Sequence, residues 1–113
     1  MFCKVITYQA IRVMESISQY LDELKRVKSI TTDAEVARLL NISRAHVSQI
    51  RGGAHMGELK AFELALILQI EPLELLSLNR AIRNSNAKLR KYWLRVHDAQ
   101  RKGVQGSIAN IKP

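Results

Sequence analysis

Residues 32–53 read TDAEVARLLNISRAHVSQIRGG, and the fold turns on how this stretch divides. Thr32 followed three residues later by Glu35 is a reciprocal capping signature: the hydroxyl accepts from the Glu35 amide while the carboxylate reaches back to the cap amide. The helix so begun spans residues 33–40, with Val36, Ala37, Leu39 and Leu40 as its apolar content. Asn41 tolerates the left-handed backbone that ends a helix, so the chain turns there. Ile42 plugs the corner, Ser43 caps a second helix over residues 44–51, and Gly52-Gly53 stops it. Only Ala45, Val47 and Ile50 are apolar within that second helix, so most of its surface cannot be core. Val36 and Ala37 face inward from the first helix and meet Val47 and Ile50 returning on the second. Ala37 lies where the two cross, and a larger side chain there would push them apart.

On the N-terminal side, Ile17, Leu21, Leu24 and Val27 recur at helical spacing, and Ser16 with Gln19 forms a capping box, which predicts a helix over residues 16–28. On the C-terminal side, residues 58–68 carry Leu59, Phe62, Leu64, Ala65, Leu66 and Leu68, apolar on most sides, the pattern of a central buried helix. Residues 54–57 form the loop before it. Pro72 stands in the first turn of a fifth helix containing Leu73, Leu75, Leu76, Leu78 and Ile82. The chain breaks at Asn84-Ser85-Asn86. A sixth, basic helix follows from Ala87 to about Ala99, with Leu89, Trp93 and Val96 on one stripe, and residues 102–113 are expected to fray. Residues 1–13 are peripheral, either a short arm or a product of start-site choice, because Met14 could itself initiate the chain. The expected division is therefore an arm (1–13), a main domain (14–84) and a basic helical tail (85–113).

Composition agrees with this division. A chain of 113 residues with 47% apolar and 25% charged residues fits one core, and aromatics at only 5%, without clean alternation, point to an all-α chain. The net charge of +8 is unevenly placed. Residues 1–78 hold nine Lys/Arg and nine Asp/Glu, whereas residues 79–113 hold the other nine bases and only Asp98. Such an excess suggests an anionic partner, nucleic acid being the usual one, or else simply a solvated helix face. Cys3 is the single cysteine, which excludes an internal disulfide and fits a reducing, cytoplasmic setting. No apolar run approaches the roughly 20 residues needed to span a membrane, and the start lacks the apolar core of a secretion signal. His46, His55 and His97 lie far apart, no Cys or carboxylate sits beside them at metal-ligand spacing, and no glycine-rich phosphate loop exists. A non-enzymatic protein without metal or cofactor is expected.

Two short helices joined by so tight a turn, with a small residue at the contact, are similar to the helix-turn-helix that reads duplex DNA. The stretch at 32–53 resembles that of the Cro/CI-type (XRE-like) regulators of phages and bacteria. The continuation AFELALILQIEPLELL resembles the fourth and fifth helices of their five-helix, lambda-repressor-like domain. Together these cover about residues 16–78, and the basic tail is more loosely similar to an extension in small phage-related members. The chain departs from the family pattern at Asn41, where Gly is preferred, and at Gln69-Ile70-Glu71-Pro72, where Gly-x-Asp-Pro is common; Gln69 is expected to be mildly strained.

The resemblance implies that Ser43, Arg44, Ala45, Ser48 and Gln49 face the major groove. Arg can donate two bonds to a guanine edge, Gln can pair with adenine, and Ala can touch a thymine methyl. Arg44 and Gln49 are then the principal base readers; the plainer alternatives are a phosphate contact for Arg44 and simple solvation for Gln49. Thr32 with the free amides starting its helix would meet a phosphate. Arg51, the Gly52-Gly53 amides and Lys60 would hold the backbone, and His46 either touches a phosphate or is merely exposed. The implied function is a sequence-specific transcription regulator, most simply a repressor, binding double-stranded DNA as a homodimer. In the tail, Trp93 with Leu89 and Val96 is expected to pack against the body or a partner subunit. Lys88, Arg90, Lys91 and Arg95 would remain outside, with extra phosphate contact as the alternative role. The competing reading is an antitoxin-like module whose tail binds a partner protein while its helix-turn-helix binds the shared promoter.

Overall fold

Several helix boundaries fall where a side chain or a left-handed residue can satisfy the backbone. The computed structural model describes residues 16–103, which form six α-helices and no strand: α1 (Ile17–Lys28), α2 (Asp33–Leu40), α3 (Arg44–Arg51), α4 (Glu58–Leu68), α5 (Pro72–Arg83) and α6 (Ala87–Arg101). The expectations for the arm, for Met14 and for the end of the tail beyond Gly103 lie outside the described residues.

Before α1, the Ser16 amide donates to Gln19 Oε1 at 3.1 Å. Ahead of α2, Thr32 Oγ1 accepts from the Glu35 amide at 3.1 Å, and Glu35 Oε1 accepts from the Thr31 and Thr32 amides at 3.1 and 3.2 Å. Asn41 is left-handed (φ 58°), and the Ile42 amide closes the turn onto the Ala37 carbonyl at 2.9 Å. Ser43 Oγ caps α3 by accepting from the His46 amide at 3.0 Å, and Asn86 Oδ1 caps α6 by accepting from the Lys88 and Leu89 amides. Pro72 occupies the first turn of α5, where its missing N–H leaves nothing unpaired.

The core gathers Ile17, Tyr20, Leu21 and Leu24 of α1, Val36, Ala37 and Leu40 of α2, Val47 and Ile50 of α3, Ala61, Leu64 and Ala65 of α4, and Leu75 and Leu78 of α5. Ala37 is buried in the core, and α2 packs against α3. One core residue lies off the helices. Met56, in the loop before α4, is fully buried, and its amide and carbonyl both pair with the buried Asn79 side chain at 2.8 Å. This side chain does what a neighbouring strand would do, pairing loop backbone that is shut off from water.

Two expectations are corrected. The fourth helix is not enclosed: Leu59, Phe62 and Leu66 are 63%, 40% and 53% exposed, because α1, α2 and α5 cover only the opposite side. In α6 the inward stripe is shifted towards the C-terminus. His97 and Gln100 are buried, Trp93 and Val96 half-buried, and Leu89 remains 48% exposed in a first turn that is exposed throughout. α6 docks along α5, so the tail as far as Arg101 is part of the folded body.

Candidate nucleic-acid interface

Helix α3 has its two large apolar residues, Val47 and Ile50, three apart, and both are buried. At 100° per residue, anchoring these turns Arg44, Ala45, Ser48 and Gln49 outward. All four are exposed, as is Ser43 at the cap, where its hydroxyl accepts from the His46 amide. Arg44, Ser48 and Gln49 make no side-chain hydrogen bond or ion pair among the described residues, which leaves a guanidinium, a hydroxyl and a carboxamide available. Arg44, Ala45 and Ser48 line a shallow open concavity with Asp33 and Arg51. His46, at the edge of the row, is half-buried.

The groups expected to hold phosphates are arranged differently from that expectation. Arg51 is drawn into the protein. Its Nε and Nη2 donate to Asp33 Oδ2 and Oδ1 at 3.3 and 2.9 Å, and its Nη1 donates to Asp22 Oδ1 and Ser18 Oγ, both at 2.7 Å, and to the Ser18 carbonyl at 3.0 Å. Lys25 Nζ joins the same Asp33 at 3.0 Å. Hydrogen bonds from Arg51, then from Lys25, hold the Asp33 carboxyl down to about 2, and the Asp33 bond raises Arg51 above its ordinary value. The charge of Asp33, unwelcome beside an anion, is thus neutralised internally.

The start of α2 is partly closed in the same way. The Thr31 and Thr32 amides already serve the Glu35 carboxylate, whose pKa falls below the usual range for that reason, and the Glu35 amide serves Thr32 Oγ1, so these three amides are taken. The Gly52 amide donates to the Ser48 and Gln49 carbonyls and the Gly53 amide to that of Ile50, ending α3; Gly53 adopts φ 108°, a conformation that suits only glycine. Neither amide points to solvent as a phosphate donor. Lys60 pairs with Glu63 at 3.2 Å on α4.

On α6, Lys88, Arg90, Lys91 and Arg95 are all exposed, and Arg90 Nη2 donates to the Asn84 carbonyl at 3.0 Å. Trp93 lies under the Arg80 guanidinium at 5.2 Å and meets Tyr92 edge-on. Sequence reasoning missed the polar group behind this helix. The Tyr20 phenol donates to Glu74 Oε2 at 2.6 Å, His97 Nδ1 donates to the Glu74 carbonyl at 2.9 Å, and the Tyr20 and His97 rings meet edge to face. The available signal was Tyr20 on the same helical face as Ile17 and Leu24, a phenol where the pattern called for core.

Among the described residues no group of three or more His, Cys, Asp or Glu is placed to hold a metal ion, and no helix is long and apolar enough to cross a membrane. Comparison of the chain with models of known families, with curated proteins and with solved structures finds no match.

Proposed function

We propose that this protein is a sequence-specific, double-stranded-DNA-binding regulator of transcription, most simply a repressor. Helices α1–α5 form a lambda-repressor-like body, α6 is an additional basic helix, and α3 enters the major groove. The observation that carries the reading is the outward row Ser43, Arg44, Ala45, Ser48 and Gln49, held by Val47 and Ile50, in which Arg44 and Gln49 have no side-chain partner among the described residues. Arg44 donates two bonds to guanine and Gln49 pairs with adenine, while Ala45 and Ser48 give close contact beside them.

A reading helix of eight residues covers few base pairs, so a two-fold site read by a homodimer follows, with half-sites about one helical turn apart. The exposed row of Leu59, Phe62 and Leu66 supports a subunit contact of this kind, since apolar side chains of that size are seldom left together in water. The experiment is selection of bound duplexes from random DNA with the wild type, Arg44→Ala and Gln49→Ala. A single two-fold site, preferred by at least ~10³-fold over random duplex, with each variant relaxing one base position, is the expected outcome. Base preferences unchanged in both variants would remove α3 from the reading role.

A further inference from the structure

The basic residues of α6 and the adjoining end of α5 fall into two sets. Arg80 and Arg83 at the end of α5 face Glu58, at 2.9 and 4.0 Å, and Arg90 is bonded to the Asn84 carbonyl. Arg101 is turned inward, its side chain 5% exposed and paired with Asp98. Lys88, Lys91 and Arg95 differ: all three are exposed, with no carboxylate partner among the described residues. Intervals of three and four residues put them on one face, opposite the buried His97. Lys102, seven residues beyond Arg95, extends the row while sharing Asp98 at 3.0 Å. Lys88 to Lys102 spans about 21 Å of helix at 1.5 Å per residue, over which one DNA strand carries about six phosphates.

The row is held firmly. Buried His97 and Gln100, the His97 bond to Glu74 and the Trp93–Arg80 contact dock α6 on the body, so its charges need little ordering on binding. α6 packs on α5, whereas α3 packs on α1 and α2, which puts the two surfaces on different parts of the molecule.

We propose that the outward face of α6, through Lys88, Lys91 and Arg95, is a second binding surface that takes duplex DNA phosphates outside the base pairs read by α3, without regard to sequence. This deepens the proposed function and rests on it only for the duplex as ligand. The surface supplies the non-specific affinity that a body without excess charge lacks, because each phosphate contact releases condensed counterions.

The test measures affinity of the full chain for a random-sequence duplex from 50 to 300 mM salt, roughly the range over which counterion release is read. The Lys88→Gln/Lys91→Gln/Arg95→Gln triple variant is compared with the wild type, with thermal melting run alongside. The expected result is an unchanged melt and a plot of log affinity against log salt shallower by about 2–3, at roughly 0.9 per phosphate contact. Base preferences in selection stay as in the wild type. An unchanged slope overturns the proposal and turns the face over to an acidic protein partner. Failure of Arg44→Ala and Gln49→Ala to alter base preference would instead sink the reading of α3, and a shallower slope in the triple variant would stand regardless.

Discussion

The guanidinium of Arg51, the last residue of α3, grips both carboxylate oxygens of Asp33, the first residue of α2, at 3.3 and 2.9 Å. The turn at Asn41 joins these two helices at one end, and this pair joins them at the other. The same guanidinium reaches Ser18 and Asp22 on α1, so one planar group ties three helices. A lysine could not do this, because only the forked guanidinium meets a carboxylate with two parallel bonds and still has donors for a second helix. Arg51 thus fixes the orientation of α3 while Arg44, seven residues earlier, remains open to solvent.

The two arginines should therefore separate in experiment. Arg51→Ala is expected to lower unfolding free energy by about 1–3 kcal/mol, since Asp33 and Asp22 lose charged hydrogen bonds. Arg51→Lys should restore only part of it. Arg44→Ala should stay within about 0.5 kcal/mol of wild type. Denaturant titration of the three variants decides this, and equal losses for Arg44→Ala and Arg51→Ala would refute the division of roles.

Acid should act through Asp33. Its carboxyl is held at about 2 by Arg51 and Lys25, below its unfolded value. A depressed folded pKa contributes stability that is present above the unfolded value, about 3.9, and is lost as pH falls through the folded one. Denaturation midpoints should fall between about pH 4 and 2, and Asp33→Asn should flatten that segment of the curve. Because Asp33 is substantially exposed, solvent screens the effect and the drop will be modest. A variant curve as steep as the wild type would contradict the assignment.

The alkaline side belongs to Tyr20. Burial first, and then the negative charge of Glu74, push its phenol well above the ordinary value near 10. With the folded pKa raised, stability is complete below the unfolded pKa and declines as pH rises past it, because only the unfolded chain then ionises. Tyr20→Phe should cost about 1–3 kcal/mol at pH 7 by leaving buried Glu74 without its donor, and should remove the decline above about pH 10. Urea titrations from pH 7 to 11 test both, and a decline that persists in the variant would assign it to other groups.

What was legible in the sequence was local. Thr32 with Glu35, Asn41, Ser43 and Gly52-Gly53 mark their own boundaries because each acts on backbone within four residues. The outward row of α3 follows from two apolar anchors and the 100° turn. Long-range partners were not legible. Arg51 beside a glycine pair reads as a free cation, and its acceptors lie 18, 29 and 33 residues away. Glu74, between two leucines, meets a phenol 54 residues distant, which nothing in its own neighbourhood announces. The exposure of Leu59, Phe62 and Leu66 was equally hidden, since an all-round apolar pattern does not say which side the neighbours cover.

Gln69 offers a last, independent check on the backbone. It ends α4 in the left-handed region (φ 60°), its amide bonded to the Leu66 carbonyl at 3.1 Å, and its side chain is exposed. The left-handed conformation costs a non-glycine residue roughly 1–2 kcal/mol. Glycine adopts it freely, but gives back about 0.5–1 kcal/mol through the greater freedom of its unfolded chain. Gln69→Gly should therefore raise stability by about 0.5–1 kcal/mol, whereas Asn41→Gly, at φ 58°, should gain less because Asn tolerates that region better than Gln. Thermal melts of the two variants order them, and a lower midpoint for Gln69→Gly would mean that its side chain makes a stabilising contact.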